Sequence, residues 1–464
     1  MKPFKAIAIL ALLLLFQRTY AQPNPERTTE CAFPNAIGKT LFRTLGYPQT
    51  IGYAEIGNEH CFLLSKDDTI IYAPIEPWID VNDIFVYNNQ FLFFCGQDIR
   101  LQNGAGLIGY FDIHDLFHNN GSYYCQTFPT SVGNITDITQ WNKVIAYNDP
   151  QLGYLHVVSI GEGITGQDPF PTIVEFKSFQ FSNPSNYTIA SPQSAPHPYE
   201  RFDNLLVTDN YVATTGRLAG PNMGISVRVF DKYNLFSTSG MQDYAHIYPS
   251  NDYDYPIEPA LATVVGRDTI STISLYSYSF QTQPTNYNGN ILEVFSLSDM
   301  VNYPNSTALY TIRNSVYLPL PDTKMQDFIY DNIRQCWLFS QTTSVAGNVM
   351  NFVSQISYQN PPTVSTLHIS DVEHRHILTY DASRQSVTSG GRISNRRELN
   401  HYEIENGFVP SQCATPFPMS CQMEYNHMAK DEHLPLQLES GTLKPKAYQP
   451  QRIDSSPINT ICQQ

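Results

Sequence analysis

Charge is scarce in this chain, and what there is leans negative. Lys, Arg, Asp and Glu make up 15% of the residues, 27 cations against 42 anions, for a formal charge of −15. A nucleic-acid partner needs Lys and Arg to replace the counterions of its phosphates. Anionic membrane surfaces ask for the same residues. Both are therefore poor partners for this chain. Apolar runs of membrane length are missing too. The longest, Ala6 to Phe16, falls short of the ~20 residues a spanning helix needs. No Cys-x-x-Cys occurs, which weakens any thiolate zinc site. Gly-x-Ser-x-Gly, His-Glu-x-x-His and the Gly-rich phosphate loops are absent, so no catalytic motif is recognised.

What is present begins with a leader. Lys2 and Lys5 flank the apolar run, and Thr19-Tyr20-Ala21 supplies small residues for cleavage after Ala21. This pattern predicts a secretory signal peptide over 1–21 and an exported, extracellular protein without a membrane span. The charge becomes −18 once Lys2, Lys5 and Arg18 leave with the leader. Eight cysteines follow: Cys31, Cys61, Cys95, Cys125, Cys336, Cys413, Cys421 and Cys462. An even count in an oxidising compartment predicts disulfides, with connectivity left open. Four sequons, at Asn120, Asn134, Asn186 and Asn305, are N-glycosylation acceptors if the source has the machinery.

Repetition is the strongest signal. Tyr110-Phe111-Asp112-Ile113-His114-Asp115-Leu116-Phe117 returns as Val229-Phe230-Asp231-Lys232-Tyr233-Asn234-Leu235-Phe236. It returns again, weaker, as Val294-Phe295-Ser296-Leu297-Ser298-Asp299-Met300-Val301. A second element opens with Asp and carries Asn near its middle, as a tight hairpin requires. Its copies start at Asp83, Asp137, Asp203 and Asp327, at intervals of 54, 66 and 124 residues. A divergent copy is expected at Leu261 to Leu275, with Arg267-Asp268 at its turn. Interleaved, the two elements give about four strands per ~60 residues, the content of a propeller blade. The fold expected is all-β, a β-propeller of about seven four-stranded blades over 22–411. The 412–464 stretch is expected to be an irregular, cysteine-containing tail. Third-strand centres are expected at Tyr72, Phe111, Val158, Phe230, Phe295, Ile356 and Ile404. Long loops are expected at 161–171, 181–199, 249–259 and 281–289. Tandem β-sandwiches are the alternative, but they predict no common period near 60. Trp-Asp strand endings, Asp-x-Gly-x-x-Trp boxes and integrin-type Ca²⁺ loops are missing. Gly390-Gly391 is the single double glycine, so no kelch repeat is present.

Candidate site residues are few. Asp83, Asp137, Asp203 and Asp327 would lie on one ring if the blades are equivalent. Such carboxylates could supply acid and base, as in glycosidases, but a feature repeated blade after blade is better read as structural capping. Asp252, Asp254 and Glu258 alternate on one segment and could offer oxygens to Ca²⁺, although the EF-hand spacing is missed. His374 and His376 would share a strand face without an evident third metal ligand. A solvated loop and a polar edge strand are the plainer readings of these two clusters. No cofactor is expected, Ca²⁺ being the one ion considered. The leading expectation is an extracellular binding or structural protein that recognises a protein or glycan through Tyr/Pro/Asn-rich loops. The alternative is a secreted glycoside hydrolase or lyase using loop carboxylates near the propeller axis.

Overall fold

The computed structural model describes residues 28–403 with short breaks between strands, together with 437–439, 442–444 and 451–454; side chains are described between 39 and 339. The chain opens with β1 (Thr28–Pro34). Blade 1 takes β2 (Thr40–Gly46), β3 (Gln49–Ile56), β4 (Glu59–Lys66) and β5 (Thr69–Ile75). Blade 2 takes β6 (Ile79–Tyr87), β7 (Phe91–Asp98), β8 (Gly106–Asp112), a short helix α1 (Ile113–His118) and β9 (Tyr124–Thr127). Blade 3 takes β10 (Asp137–Asp149), β11 (Tyr154–Thr165), β12 (Asp168–Phe179) and β13 (Thr188–Ala190). Blade 4 takes β14 (Glu200–Val207), β15 (Tyr211–Leu218), β16 (Gly224–Asp231) and β17 (Met241–Ile247). Blade 5 takes β18 (Asp254–Pro256), β19 (Leu261–Gly266), β20 (Thr269–Ser279), β21 (Asn286–Ser296), α2 (Leu297–Asn302) and β22 (Tyr310–Asn314). Blade 6 takes β23 (Lys324–Asp331), β24 (Cys336–Val345), β25 (Asn348–Ser357) and β26 (Val364–Ser370). Blade 7 takes β27 (Glu373–Asp381), β28 (Ser386–Ile393) and β29 (Arg396–Glu403).

Each blade is an antiparallel sheet built mainly in chain order. In blade 5, β18 pairs with β20 beside β19. The stretch expected to be an irregular tail adds Gln451–Asp454 outside β5 of blade 1, and Thr442–Lys444 with Gln437–Glu439 outside β9 of blade 2. The seventh blade borrows its outer strand from the start of the chain. There β1 pairs with β29 from Thr28↔His401 to Pro34↔Arg396. The inner strands β2, β6, β10, β14, β19, β23 and β27 neighbour one another in that order, and β27 returns to β2. The protein is thus a closed seven-bladed β-propeller, latched by backbone hydrogen bonds between its ends. Closure removes the exposed inner edges that an open array would leave.

Burial follows from this stacking. A blade packs on both faces, so its middle strands are apolar on both faces of the pleat. Phe94 turns toward blade 1, 5.1 Å from Phe62, while its neighbour Phe93 turns toward blade 3, 5.6 Å from Phe179. The same layering recurs between blades 3 and 4 around Ile145, Phe202 and Phe230, and between blades 5 and 6 around Ile273, Phe328 and Trp337.

The first repeat is now explained by hydrogen bonding. Each copy is a third strand that ends on a capping residue and then tucks under the blade, as a short helix in blades 2 and 5 and as a turn in blade 4. Asp112 Oδ1 accepts the N–H of Asp115 at 2.9 Å, Asp231 Oδ1 that of Tyr233 at 2.9 Å, and Ser296 Oγ that of Asp299 at 3.2 Å. The residue after the cap donates its N–H to the blade's own first hairpin: Ile113 to Gln90, Lys232 to Asn210 and Leu297 to Asp268. Leu116, Leu235 and Leu297 then bury in the gap.

The hairpin repeat is more mixed. Asn88 and Asn89 have φ of 51° and 54°, the paired left-handed residues of a tight turn. Arg267-Asp268 is the turn between β19 and β20, as expected. The copy headed by Asp137 is different. Residues 137–149 run as one strand, and the turn falls at 150–153, where Gly153 has φ +69°. Asn142 sits at a bulge between Trp141 and Lys143, not at a turn. The fully buried Trp141, 5.4 Å from Phe128, keeps the chain extended there. Two third-strand marks move for related reasons: Tyr72 lies in the fourth strand of blade 1 and Val158 in the second of blade 3. The 161–171 stretch is mostly β-hairpin, since β11 and β12 pair as far as Thr165↔Asp168.

Candidate functional site

The four aspartates do not form one ring. In blade 2, Asp83 pairs with Cys95 just past a bulge. Lys143 holds the equivalent place in blade 3, paired with Ile160, and Asn204 holds it in blade 4, paired with Thr215. Asp327, paired with Ser340, is the true counterpart of Asp83. Asp203 sits one residue earlier, at the bulge itself, and Asp137 is the first residue of β10. Sequence spacing missed this because bulges and unequal strand lengths shift the count without changing the pattern.

The charges at this position in blades 2 and 3 are opposite, and they meet across blades. Arg43 Nη2 of β2 donates to Asp83 Oδ1 at 2.8 Å, and Lys143 Nζ of β10 lies 3.8 Å from the same oxygen. The N–H of Val144 donates to Asp83 Oδ2 at 3.2 Å. One buried carboxylate thus ties the inner strands of three successive blades. A turn away, Lys39 Nζ donates to Asp80 Oδ1 at 2.7 Å and Asn82 Oδ1 at 2.8 Å, while Gln97 Nε2 donates to Asp80 Oδ2. Between blades 3 and 4, Arg201 lies 3.8 Å from Glu162. Asp80 and Asp83 are committed to cations.

A second polar cluster lies where blades 3 and 4 meet. His156 is fully buried, and its Nδ1 is 2.8 Å from Glu175 Oε1. Its Nε2 lies 3.9 Å from Asp149 Oδ2, beyond hydrogen-bond reach. Tyr147 stacks on the imidazole at 5.2 Å and donates its hydroxyl proton to the Lys232 carbonyl at 2.7 Å. Lys232 Nζ lies over the Tyr147 and Tyr233 rings and donates to the Thr208 carbonyl. Burial lowers the Lys232 pKa against the pull of Asp209 and Asp268, and burial raises that of Tyr147, helped by Glu175. No substrate reaches a fully buried imidazole, so the cluster acts as a polar rivet between blades. Its signal was in the sequence: His156 and Glu175 interrupt the apolar strands Tyr154–Thr165 and Asp168–Phe179.

The cysteine expectation needs correction. Cys61, Cys95, Cys125 and Cys336 are buried thiols outside any disulfide. Each lies buried within a strand. Cys61 Sγ points to the Ala54 carbonyl and Cys95 Sγ to the Trp141 carbonyl. Burial pushes the Cys95 and Cys125 thiols well above the ordinary range, so they are unreactive packing groups. The side chains of Cys31, Cys413, Cys421 and Cys462 lie outside the described residues, as do Asn120, Asn134, Asn186, Asn305 and residues 1–21. Asp252 and Glu258 also lie outside them. The backbone of Asp254 is in β18, opposite Tyr278, and His376 is in the inner strand of blade 7, opposite Gly390. Among the described residues no group of three or more His, Cys, Asp or Glu could hold a metal ion. Among them, too, no helix is long and apolar enough to cross a membrane.

The blades are unequal on one face. Antiparallel order puts every hairpin between second and third strands on the same side of the disc. Those strands have 12 residues each in blade 3, 11 in blade 5 and 10 in blade 6. They have 8 each in blades 1, 4 and 7. In blades 5 and 6 the excess lies beyond the inner strand, since β19 pairs only as far as Leu261↔Ile273 and β23 as far as Lys324↔Thr342, whereas in blade 3 β10 lengthens with β11 and pairs as far as Asp137↔Ile164. At about 3.3 Å per residue, the two or three extra residues on that side raise the tall hairpins roughly 7–10 Å above the others. In blade 5, β18 joins the raised part through Asp254↔Tyr278 and Pro256↔Tyr276.

No protein-family model and no curated protein sequence matches the chain. Among solved structures it is similar to an ulvan lyase of a polysaccharide lyase family, at 9% identity over 81% of this chain and 95% of that one, with a TM-score of 0.46. It is also similar to Drosophila plexin A in complex with semaphorin 1b, at 8% identity over 82% and 88%, TM-score 0.38. A third is the α-L-arabinofuranosidase of Fusarium graminearum, at 9% identity over 82% and 98%, TM-score 0.36. At these identities and scores, the likenesses carry no inference about activity.

Proposed function

We propose that this chain is an exported recognition protein that binds an extracellular protein or glycan on the face carrying the tall hairpins. The observation that carries the reading is the uneven height of that face on an otherwise regular ring. A uniform propeller needs no such ribbons for stability, whereas raised loops and hairpins on a rigid scaffold are where binding is usually placed. Tyr255, Tyr276, Tyr278 and Tyr287 all occupy register positions in the raised part of blade 5. Tyrosine is enriched at interfaces because it offers large, rigid contact area with one polar tip.

The cation-bound state of Asp80 and Asp83 favours this reading over a carbohydrate-active enzyme, which needs a carboxylate pair free to act on a bound sugar. The test uses the chain from Gln22 on a glycan array and against a panel of extracellular proteins, with reducing-sugar release followed in parallel. Shortening the blade 5 hairpin to its Ile273↔Leu292 rung, and the blade 6 hairpin to its Thr342↔Asn351 rung, should abolish binding and leave the propeller folded. Binding that survives both deletions would refute the assignment of the face. Sugar release would replace the binder with the enzyme.

A further inference from the structure

The raised ribbon of blade 5 has two different faces. Residues along a strand belong alternately to its two sides, and β20 and β21 pair without a shift from Thr269↔Ser296 to Ser279↔Asn286. Ile270 and Phe295 pack with Ala213, Val227 and Val229 of blade 4. Every second residue from Ile270 therefore belongs to the side toward blade 4. Above Ser274 that series is Tyr276 and Tyr278, with Gly289 and Tyr287 opposite them. β18 adds Pro256 opposite Tyr276 and Asp254 opposite Tyr278. One row across the ribbon is thus Asp254, Tyr278 and Tyr287, and the row below it is Pro256, Tyr276 and Gly289. The other face carries Ser277 opposite Asn288 and Ser279 opposite Asn286.

The tyrosine face rises past its neighbour. Counted from the caps Asp231 and Ser296, the ladder of blade 4 ends on its eighth rung, Leu218↔Gly224, and that of blade 5 continues to an eleventh, Ser279↔Asn286. The fourth strand of blade 4 stops at the same height, at Gly224↔Ile247. Tyr278↔Tyr287 is the tenth rung of blade 5. Among the described residues no strand of blade 4 reaches that row.

We propose that this tyrosine face binds a short neutral glycan, an inference that rests on the hairpin face being the recognition face. Area decides between a glycan and a protein. With strands about 4.8 Å apart and alternate residues about 6.7 Å apart, two rows on three strands cover roughly 14 Å by 13 Å, on the order of 200 Å². A stable protein interface takes about 800 Å² from each partner. The smaller patch suits a few sugar rings, whose C–H faces stack on phenol rings while their hydroxyls bond to phenol oxygens and to a carboxylate such as Asp254. Charge decides between neutral and acidic sugars. The raised stretches 254–256, 274–279 and 286–291 hold Asp254 as their single charged residue and contain no Lys or Arg. A sugar carboxylate or sulfate is recognised by such cations.

The test titrates neutral hexasaccharides of glucose, xylose, mannose and N-acetylglucosamine into the chain from Gln22, with uronate and sulfated oligomers alongside. At least one neutral oligomer should bind. Tyr278→Ala/Tyr287→Ala should weaken it roughly tenfold or more, as the loss of two stacking rings implies. Tyr278→Phe/Tyr287→Phe keeps both rings and should retain most of the affinity. Ser277→Ala/Asn288→Ala, on the other face, should leave binding unchanged, and circular dichroism should match the parent in every variant. No binding of any neutral oligomer, binding of acidic oligomers alone, or binding unaltered in the tyrosine-to-alanine variant overturns the proposal. A protein ligand that is lost with the shortened hairpins while no sugar binds also overturns it, but leaves the assignment of the recognition face standing.

Discussion

Gly96 tests whether the inter-strand bulges are rigid parts of the frame. It faces the bulge of the inner strand in blade 2, where Val81 pairs with it and Asn82 is extruded. A Cβ at this position would lie 1.8 Å from the Asp80 carbonyl oxygen, whereas real Cβ contacts stay beyond 3.0 Å. The inner strand would therefore have to retreat by about 1.2 Å, which places Gly96→Ala at the upper end of overpacking costs, ~3 kcal/mol. The retreat would also pull Asp80 from Lys39 and Gln97. Gly266→Ala is the control, because nothing lies closer than 3.8 Å and the substitution only stiffens the unfolded chain. It should be neutral or stabilising by up to ~1 kcal/mol. Urea unfolding followed by tryptophan fluorescence gives both values, with equal m-values confirming comparable transitions. If the two variants unfold within ~1 kcal/mol of each other, the bulge is soft and the close-approach reasoning fails. Gly216 meets the Arg201 carbonyl at 1.7 Å and should repeat the result in blade 4.

Further expectations follow from the same structure. Asp83→Ala removes the shared acceptor of Arg43, Lys143 and the Val144 N–H, and should cost ~2 kcal/mol in urea unfolding, chiefly from the buried N–H left unpaired. Asp112→Ala loses the α1 cap and should cost ~1 kcal/mol by the same assay. Cys61, Cys95, Cys125 and Cys336 should resist a thiol reagent in the native protein and react once it is unfolded; rapid native labelling of all four would contradict their burial. Because burial raises the thiols of Cys95 and Cys125, the unfolded chain loses these protons first. Their contribution to stability is therefore whole below the ordinary thiol value of about 8.5 and declines as pH rises above it. Tyr110, pushed up to about 12 by burial, adds to that decline above pH ~10. Thermal melts from pH 7 to 11 should show the midpoint falling through this window.

Much of the architecture was legible from sequence because propeller blades repeat local chemistry. The Phe111-Asp112 and Phe230-Asp231 copies each encode a strand, a cap and a buried turn within a few residues, and such units need no distant partner to be recognised. Asn88-Asn89 marked its turn for the same reason: few residues tolerate two successive positive φ angles. Seven blades could be counted because the period survives insertions. Hairpin composition alone misled at Asn142, where Trp141 finds its burial against Phe128 and Gly161 and keeps the strand running.

What only the tertiary structure decided is which residues meet across blades. The pairing of β1 with β29, from opposite ends of the chain, closes the ring, and no local pattern announces it. The partners of Asp83 come from strands 40 and 60 residues away in opposite directions, so its role depends on stacking order. Cysteine count pointed to disulfides, but a disulfide needs Cα atoms within about 7 Å and facing Cβ vectors. Cys61, Cys95, Cys125 and Cys336 are buried as thiols instead. Strand, turn and cap are decided within a few residues, where the sequence suffices. Register, bulge and the meeting of charges are decided by packing between blades, whose contacts are set only when the ring closes.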